Sequence, residues 1–231
     1  MNQRTKTKTY LLATIVAGMT FFLGMAIYWT IVPFFQMRSL YEHLAINSAE
    51  DSLKFTQAKF IFEPWTYAQQ LIRFDLLDFM LEQYRKENLT KENPIFLTAI
   101  SRMEEYVARE PYFPNYFFML GKAYDKRADL NNSSIEYYKK AEEYYREGLK
   151  INKYRQDGRY ALAINLMNQG REEESRFLID ETLSQNDIAP ETHYYVGLLE
   201  IKWKKPDYAK SLLHMEIALS QGVNPNKKIT N

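Results

Sequence analysis

Among side chains able to transfer protons, attack carbonyls or ligate metals, this sequence offers three histidines and no cysteine. His43, His193 and His214 stand far apart in the chain. None has a second histidine or an acidic residue at i+3 or i+4 in a metal-binding pattern. His193 falls on a packing position of its helix, so a structural imidazole is expected there. The missing thiols exclude disulfides, thiolate catalysis and cysteine-ligated metals. There is no G-x-S-x-G, no Walker-type loop and no G-x-G-x-x-G. The acidic runs Glu104-Glu105, Glu142-Glu143 and Glu172-Glu173-Glu174 alternate with Lys and Arg. That alternation describes solvated helix faces with i, i+4 support, not a catalytic carboxylate pair. The expectation is a protein that is not an enzyme, with no catalytic residue, no cofactor and no metal. What is abundant is aromatic surface: 18 Tyr and 14 Phe, able to stack on sugar rings or to grip an extended peptide.

Helices must position these rings. Glycine and proline number eight each, too few for a loop-rich β fold and suited to helix-on-helix packing. With 30 basic against 29 acidic residues, the net charge of +1 gives no basis for nucleic-acid binding. Asn88-Leu89-Thr90 and Asn132-Ser133-Ser134 match the N-glycosylation pattern, a motif short enough to arise by chance.

The helical runs repeat. Pro114 to Tyr124 reads PNYFFMLGKAY and Pro190 to Glu200 reads PETHYYVGLLE. Phe117, Leu120, Gly121 and Tyr124 have the large–Leu–Gly–aromatic spacing that resembles helix A of the tetratricopeptide repeat (TPR), whose unit is about 34 residues. His193, Val196 and Gly197 fit three of these places, and Glu200 departs from the aromatic. Helix B patterns recur at Ala99, Met103, Val107 and Pro111, and again at Ala141, Tyr145, Gly148, Leu149 and Ile151. They return at Ser175, Ile179, Thr182 and Leu183, led by the turn Asn168-Gln169-Gly170, and at Ser211, Met215, Ala218 and Leu219 behind Asp207-Tyr208. Three units follow, at about 114–153, 156–187 and 190–224, the first with extra residues around Ala128 to Ile135. Segments 65–86 and 94–109 make a less regular pair, and Asp51 to Phe62 reads as a further B helix. Stacked pairs of this kind share one core and offer a groove lined by the A helices. The fifth position of helix A is then Phe118, Tyr160 and Tyr194, with Lys122, Asn168 and Lys202 as polar neighbours on the same groove face, and Tyr84 extending the row.

Ahead of the repeats, Tyr10 to Phe35 holds no charge and follows the basic leader MNQRTKTKT. Tyr10 to Val32 is about 23 residues or ~35 Å of helix, enough to cross a hydrocarbon core of ~30 Å. It is too long for a cleaved signal's apolar region, and no A-x-A site follows. Tyr28 and Trp29 suit the membrane–water interface, and Arg4, Lys6 and Lys8 before the span against Arg38 after it place the N-terminus in the cytoplasm.

This layout, a span followed by YEHLAINSAEDSLKFTQAKFIFEPWTYAQQLIRFDLLDFML and then repeats, resembles the C-terminal part of bacterial O-antigen ligase or polymerase-like membrane proteins. The resemblance implies a bacterial cytoplasmic membrane and envelope-polysaccharide assembly. That family's catalytic residues lie in a multi-span core, so none carries over. The expected organisation is an all-α chain: a basic cytoplasmic leader at 1–9, a transmembrane helix at 10–35, irregular TPR-like helices at 36–112, three TPR-like repeats at 113–224 and a tail at 225–231. The expected function is a membrane-anchored scaffold that binds a protein partner outside the cytoplasm, touching the lipid bilayer through 10–35. The alternative is a glycan-binding accessory, or a detached module, of an O-antigen ligase-like glycosyltransferase.

Overall fold

The computed structural model describes residues 3–44, 69–86, 89–185 and 188–224. The B helix expected at Asp51 to Phe62, Asn88 of the first glycosylation motif and the tail at 225–231 lie outside these. Among the described residues every regular element is helical: α1 (Gln3–Leu44), α2 (Gln69–Arg85), α3 (Pro94–Arg109), α4 (Pro114–Leu130), α5 (Ile135–Ile151), α6 (Gln156–Asn168), α7 (Glu172–Leu183), α8 (Pro190–Glu200) and α9 (Tyr208–Ser220). The chain divides into two compact units, Met1–Met80 with Asn93–Arg102, and Leu81–Glu92 with Met103–Asn231.

The first unit contains α1, a single helix of 42 residues. Its stretch Thr14–Leu40 is long and apolar enough to cross a membrane, by length and composition. Met19, Phe21, Phe22 and Leu23 are all exposed on it. Pro33 interrupts the hydrogen-bond ladder without ending the helix. Beyond it one face is covered, since Pro33, Gln36 and Leu40, at i, i+3 and i+7, are buried. Ile72, Leu76, Leu77, Phe96, Ala99 and Ile100 are also buried in this unit. Arg73 is buried with them, donating from Nε to the Arg102 carbonyl at 2.7 Å and from Nη1 to Gln69.

The second unit is built from three helix hairpins, α4/α5, α6/α7 and α8/α9, stacked through α5 on α6, α4 on α6 and α6 on α8. Proline at the first turn of α4 and α8 starts each A helix where a missing N–H is harmless. Gly170 ends α6 at φ +78°. Its N–H donates to Met167 O at 2.9 Å and that of Arg171 to Leu166 O at 2.9 Å. This is a Schellman closure that needs a left-handed residue, and Gly222 closes α9 in the same way. The small residues of the B helices sit where two helices touch. The Ser175 hydroxyl donates to Ala163 O at 2.6 Å and that of Ser211 to Gly197 O at 2.7 Å, each one fully or nearly fully buried. Between the second and third hairpins lies a core of Ala163, Ile179, Val196, Leu199 and Trp203.

Glu200, which breaks the aromatic pattern of helix A, has its own explanation. It is 2% exposed, accepts from Trp203 Nε1 at 3.1 Å and pairs with Lys210 Nζ at 2.8 Å. Trp203, just after the helix, fills the apolar space, and Arg176 lies over its ring at 4.4 Å. A buried charge left unpaired would cost several kcal/mol. Glu200 and Trp203 therefore work as one substitution for the missing aromatic.

Candidate functional site

The site develops on the A helices of the second unit. Tyr160 on α6 stacks on Tyr195 of α8 with ring centroids 4.1 Å apart at 24°. Tyr194 meets Tyr195 edge-on at 5.8 Å and 62°. All three rings are partly exposed. Desolvation raises the phenol pKa of Tyr160 and of Tyr195, the latter helped by the carboxylates of Glu191 and Asp157. The phenols therefore stay neutral and act as hydrogen-bonding tips on an aromatic patch.

Phe118, the α4 member of the expected row, is placed differently. It is 2% exposed, closed in between Gly148 of α5 and Gly158 of α6. The Arg155 guanidinium covers it, 4.7 Å from the ring centroid. Arg155 in turn holds Asp157 in a fork, Nε to Oδ1 at 2.7 Å and Nη2 to Oδ2 at 2.9 Å, and bonds Asn115 through Nη1. Burial would raise the Asp157 pKa, but Arg155, with Lys122 behind it, holds the carboxyl below its ordinary value. The α4 end of the A-helix row thus presents an ion pair lying on an aromatic ring.

Lys122 and Asn168 are exposed on α4 and at the end of α6. Lys202 is exposed but not on a groove-lining helix. Helix α8 stops at Glu200, the Lys202 N–H turns back to Leu199 O at 2.8 Å, and the chain turns so that Trp203 can enter the core. Tyr84 is 2% exposed and donates to the Lys91 carbonyl at 2.9 Å, so its ring is a packing group. The residue that sequence reasoning missed is Tyr195. It follows the expected position by one residue, and only the angle between α6 and α8 brings it over Tyr160. The adjacent tyrosines Tyr194-Tyr195 were the available signal.

A polar network runs through the first two hairpins. The Tyr145 hydroxyl donates to Asp125 Oδ2 at 2.7 Å, and Asn165 Nδ2 to Asp125 Oδ1 at 2.5 Å. Asn165 Nδ2 also reaches Tyr138 O at 2.9 Å, and the Tyr138 hydroxyl donates to Asp129 at 2.7 Å. Gln169 bridges Asn165 to Glu142, which pairs with Arg171 and Arg146. Desolvation raises the Asp125 pKa to about 7 despite these donors. A carboxyl whose folded pKa is raised adds stability below its unfolded value near 3.8, and loses that contribution as pH climbs through about 7. Asp125→Asn is therefore expected to flatten the stability profile between those limits, by on the order of 2–4 kcal/mol at most, water contact reducing it. Denaturant unfolding of both proteins across this pH range reads the difference, and parallel profiles would refute the assignment.

A second cluster ties the start of this unit together. Glu104 Oε1 accepts from the hydroxyls of Tyr124 and Tyr144, each at 2.7 Å, and from Lys140 Nζ at 2.9 Å. Arg127 bonds Glu92 at 2.5 Å and lies over Tyr137 at 4.3 Å. Every polar group in it is matched within the protein, so it reads as a clasp. Among the described residues no group of three or more His, Cys, Asp or Glu is placed to hold a metal ion.

Comparison with solved structures places this arrangement. The chain is similar in fold to a thermophilic TPR protein of Thermus thermophilus, with a TM-score of 0.51 and 17% sequence identity, over 76% of this chain and 92% of that one. No protein-family model matches the chain, and no curated protein matches it by sequence. The likeness shows a TPR-like helical-repeat fold.

Proposed function

We propose that this chain is a membrane-anchored repeat scaffold that binds an extended segment of a protein partner on the Tyr160–Tyr195–Tyr194 patch. The observation that carries it is three neighbouring, partly exposed tyrosine rings on consecutive A helices, flanked by the Arg155–Asp157 pair and Lys122. Tyrosine contributes large contact area at small entropic cost, and such rings with a nearby arginine dominate binding energy at interfaces. Helix α1 supplies the anchor in this reading. In this reading its exposed apolar side chains sit in lipid, and the basic residues Arg4, Lys6 and Lys8 in its first turns orient the repeats outward. The likeness in layout to O-antigen ligase-like proteins makes an envelope-polysaccharide assembly protein the first partner to test.

The expected result is that Tyr194→Ala and Tyr195→Ala each weaken binding of the best ligand from an extended-peptide library about tenfold or more. Helical content should be unchanged by circular dichroism. Unaltered peptide binding by both variants would sink the groove reading. Loss of binding to an oligosaccharide panel, with no peptide bound by the parent, would favour the glycan alternative. A periplasm-dependent reporter fused after Asn231 should be active, and an inactive one beside an active cytoplasm-dependent reporter at the same place would reverse the orientation.

A further inference from the structure

The third hairpin holds a contact that the groove does not use. His193 on α8 and His214 on α9, 21 residues apart in sequence, bring their Nδ1 atoms to 3.0 Å. Their rings stack with centroids 5.2 Å apart at 22°. His214 is 8% exposed. Two neutral imidazoles make this bond when one carries its proton on Nδ1 and the other on Nε2. A first added proton goes to the free Nε2 of the donor ring and leaves the bond intact. A second has only the accepting Nδ1 to occupy, which sets N–H against N–H and charge against charge.

The surroundings do not neutralise that second charge. Lys210 lies one turn before His214 on α9. The carboxylate from α8 that influences His214, Glu200, is committed to Lys210 at 2.8 Å, to Arg176 of α7 at 3.6 Å and to Trp203. Asp180 of α7 also faces Lys210 at 3.6 Å. Burial lowers the pKa of both rings, and for His214 the charges of His193 and Lys210 lower it further against a weaker pull from Glu200.

We propose that the His193–His214 pair is an acid-opened latch joining α8 to α9. At neutral pH the bond closes the hairpin, and double protonation releases it. Folded pKa values below the unfolded value of 6.5 mean stability that is present above that pH and lost as pH falls through the folded values. The two rings titrate as a coupled pair, in two separated steps. Because Tyr194 and Tyr195 follow His193 on α8, opening would also loosen that wall of the groove. This consequence rests on the groove reading, whereas the latch does not.

The test is amide hydrogen exchange of the full chain in detergent at about pH 7 and about pH 5, corrected for intrinsic rates, beside His193→Gln. Glutamine can donate to or accept from His214 Nδ1 in either protonation state. In the parent, amides of α8 and α9 should lose protection about tenfold or more at the lower pH, while the variant keeps it. Comparing parent with variant removes the opposite contribution of Asp125. Equal loss in both, or no loss in the parent, would overturn the latch. Ring-proton NMR, with the His43 signal assigned and set aside through His43→Gln, gives a second reading: two separated titration steps from the pair in the parent and one in either His193→Gln or His214→Gln. Two independent titrations at the ordinary histidine value would refute it, whatever the peptide-binding result.

Discussion

Phe118→Ala is expected to cost about 3–5 kcal/mol, the range for emptying a buried phenylalanine site. The ring is 2% exposed and fills a slot made by two glycines: a built Cβ on Gly148 would stand 2.8 Å from its Cε1, and one on Gly158 would stand 2.7 Å from its Cζ and nearer still to Cε1. Neither backbone can close the gap by bringing a side chain inward, because neither has one. Arg155 also loses the face beneath its guanidinium while it stays tied to Asp157. Against total stabilities of about 5–15 kcal/mol, this loss is large. Chemical denaturation reads it directly, and a loss under ~1 kcal/mol would show that the slot is not closed. The practical consequence concerns ligand assays. Any binding defect in Phe118→Ala reports unfolding of the α4–α6 region, so Tyr194 and Tyr195, which are partly exposed, are the clean probes.

The sequence made the repeat legible because its signals are local and periodic. Pro114 and Pro190 start helices, Gly170 and Gly222 supply left-handed turn residues, and Ser175 and Ser211 mark where two helices come close enough for a hydroxyl to reach a carbonyl. Each acts within one hairpin. The groove was less legible because its membership depends on angles between hairpins. Phe118, Tyr160 and Tyr194 share a position in the repeat but not an environment. The pair Gly148 and Gly158 lets α5 and α6 close over Phe118, whereas Tyr160 has Tyr195 as its neighbour and stays at the surface. Helical periodicity alone continues α8 through Lys202. The helix ends at Glu200 because Trp203 is drawn into the core, an event that helical periodicity does not encode. The His193–His214 contact was hidden for the same reason, since spacing within one helix says nothing of a partner on the next.

Gly121→Ala isolates the close approach that the repeat pattern requires. Alanine in place of a helical glycine ordinarily gains about 1 kcal/mol. Here its Cβ would stand 2.6 Å from Cδ1 and 2.7 Å from Cζ of Tyr145. Tyr145 is 1% exposed and its hydroxyl is bonded to Asp125, so the ring cannot swing aside without breaking the network that Asn165 and Gln169 extend. Overpacking of this kind costs about 1–3 kcal/mol and sometimes more. It outweighs the helical gain, so the variant should be less stable by ~2 kcal/mol. In a Tyr145→Ala background the collision is gone, and the same change should become neutral or stabilising. The double-mutant cycle should therefore show coupling of about 2–3 kcal/mol, near the upper end for residues in contact. Additive losses would mean that Gly121 is constrained by something other than the Tyr145 ring. Coupling of the expected sign would show why a glycine occupies this turn of α4 and an alanine, Ala163, the equivalent place on α6, where the smaller Ile179 stands at the place of Tyr145 and the Ser175 hydroxyl bonds the Ala163 carbonyl.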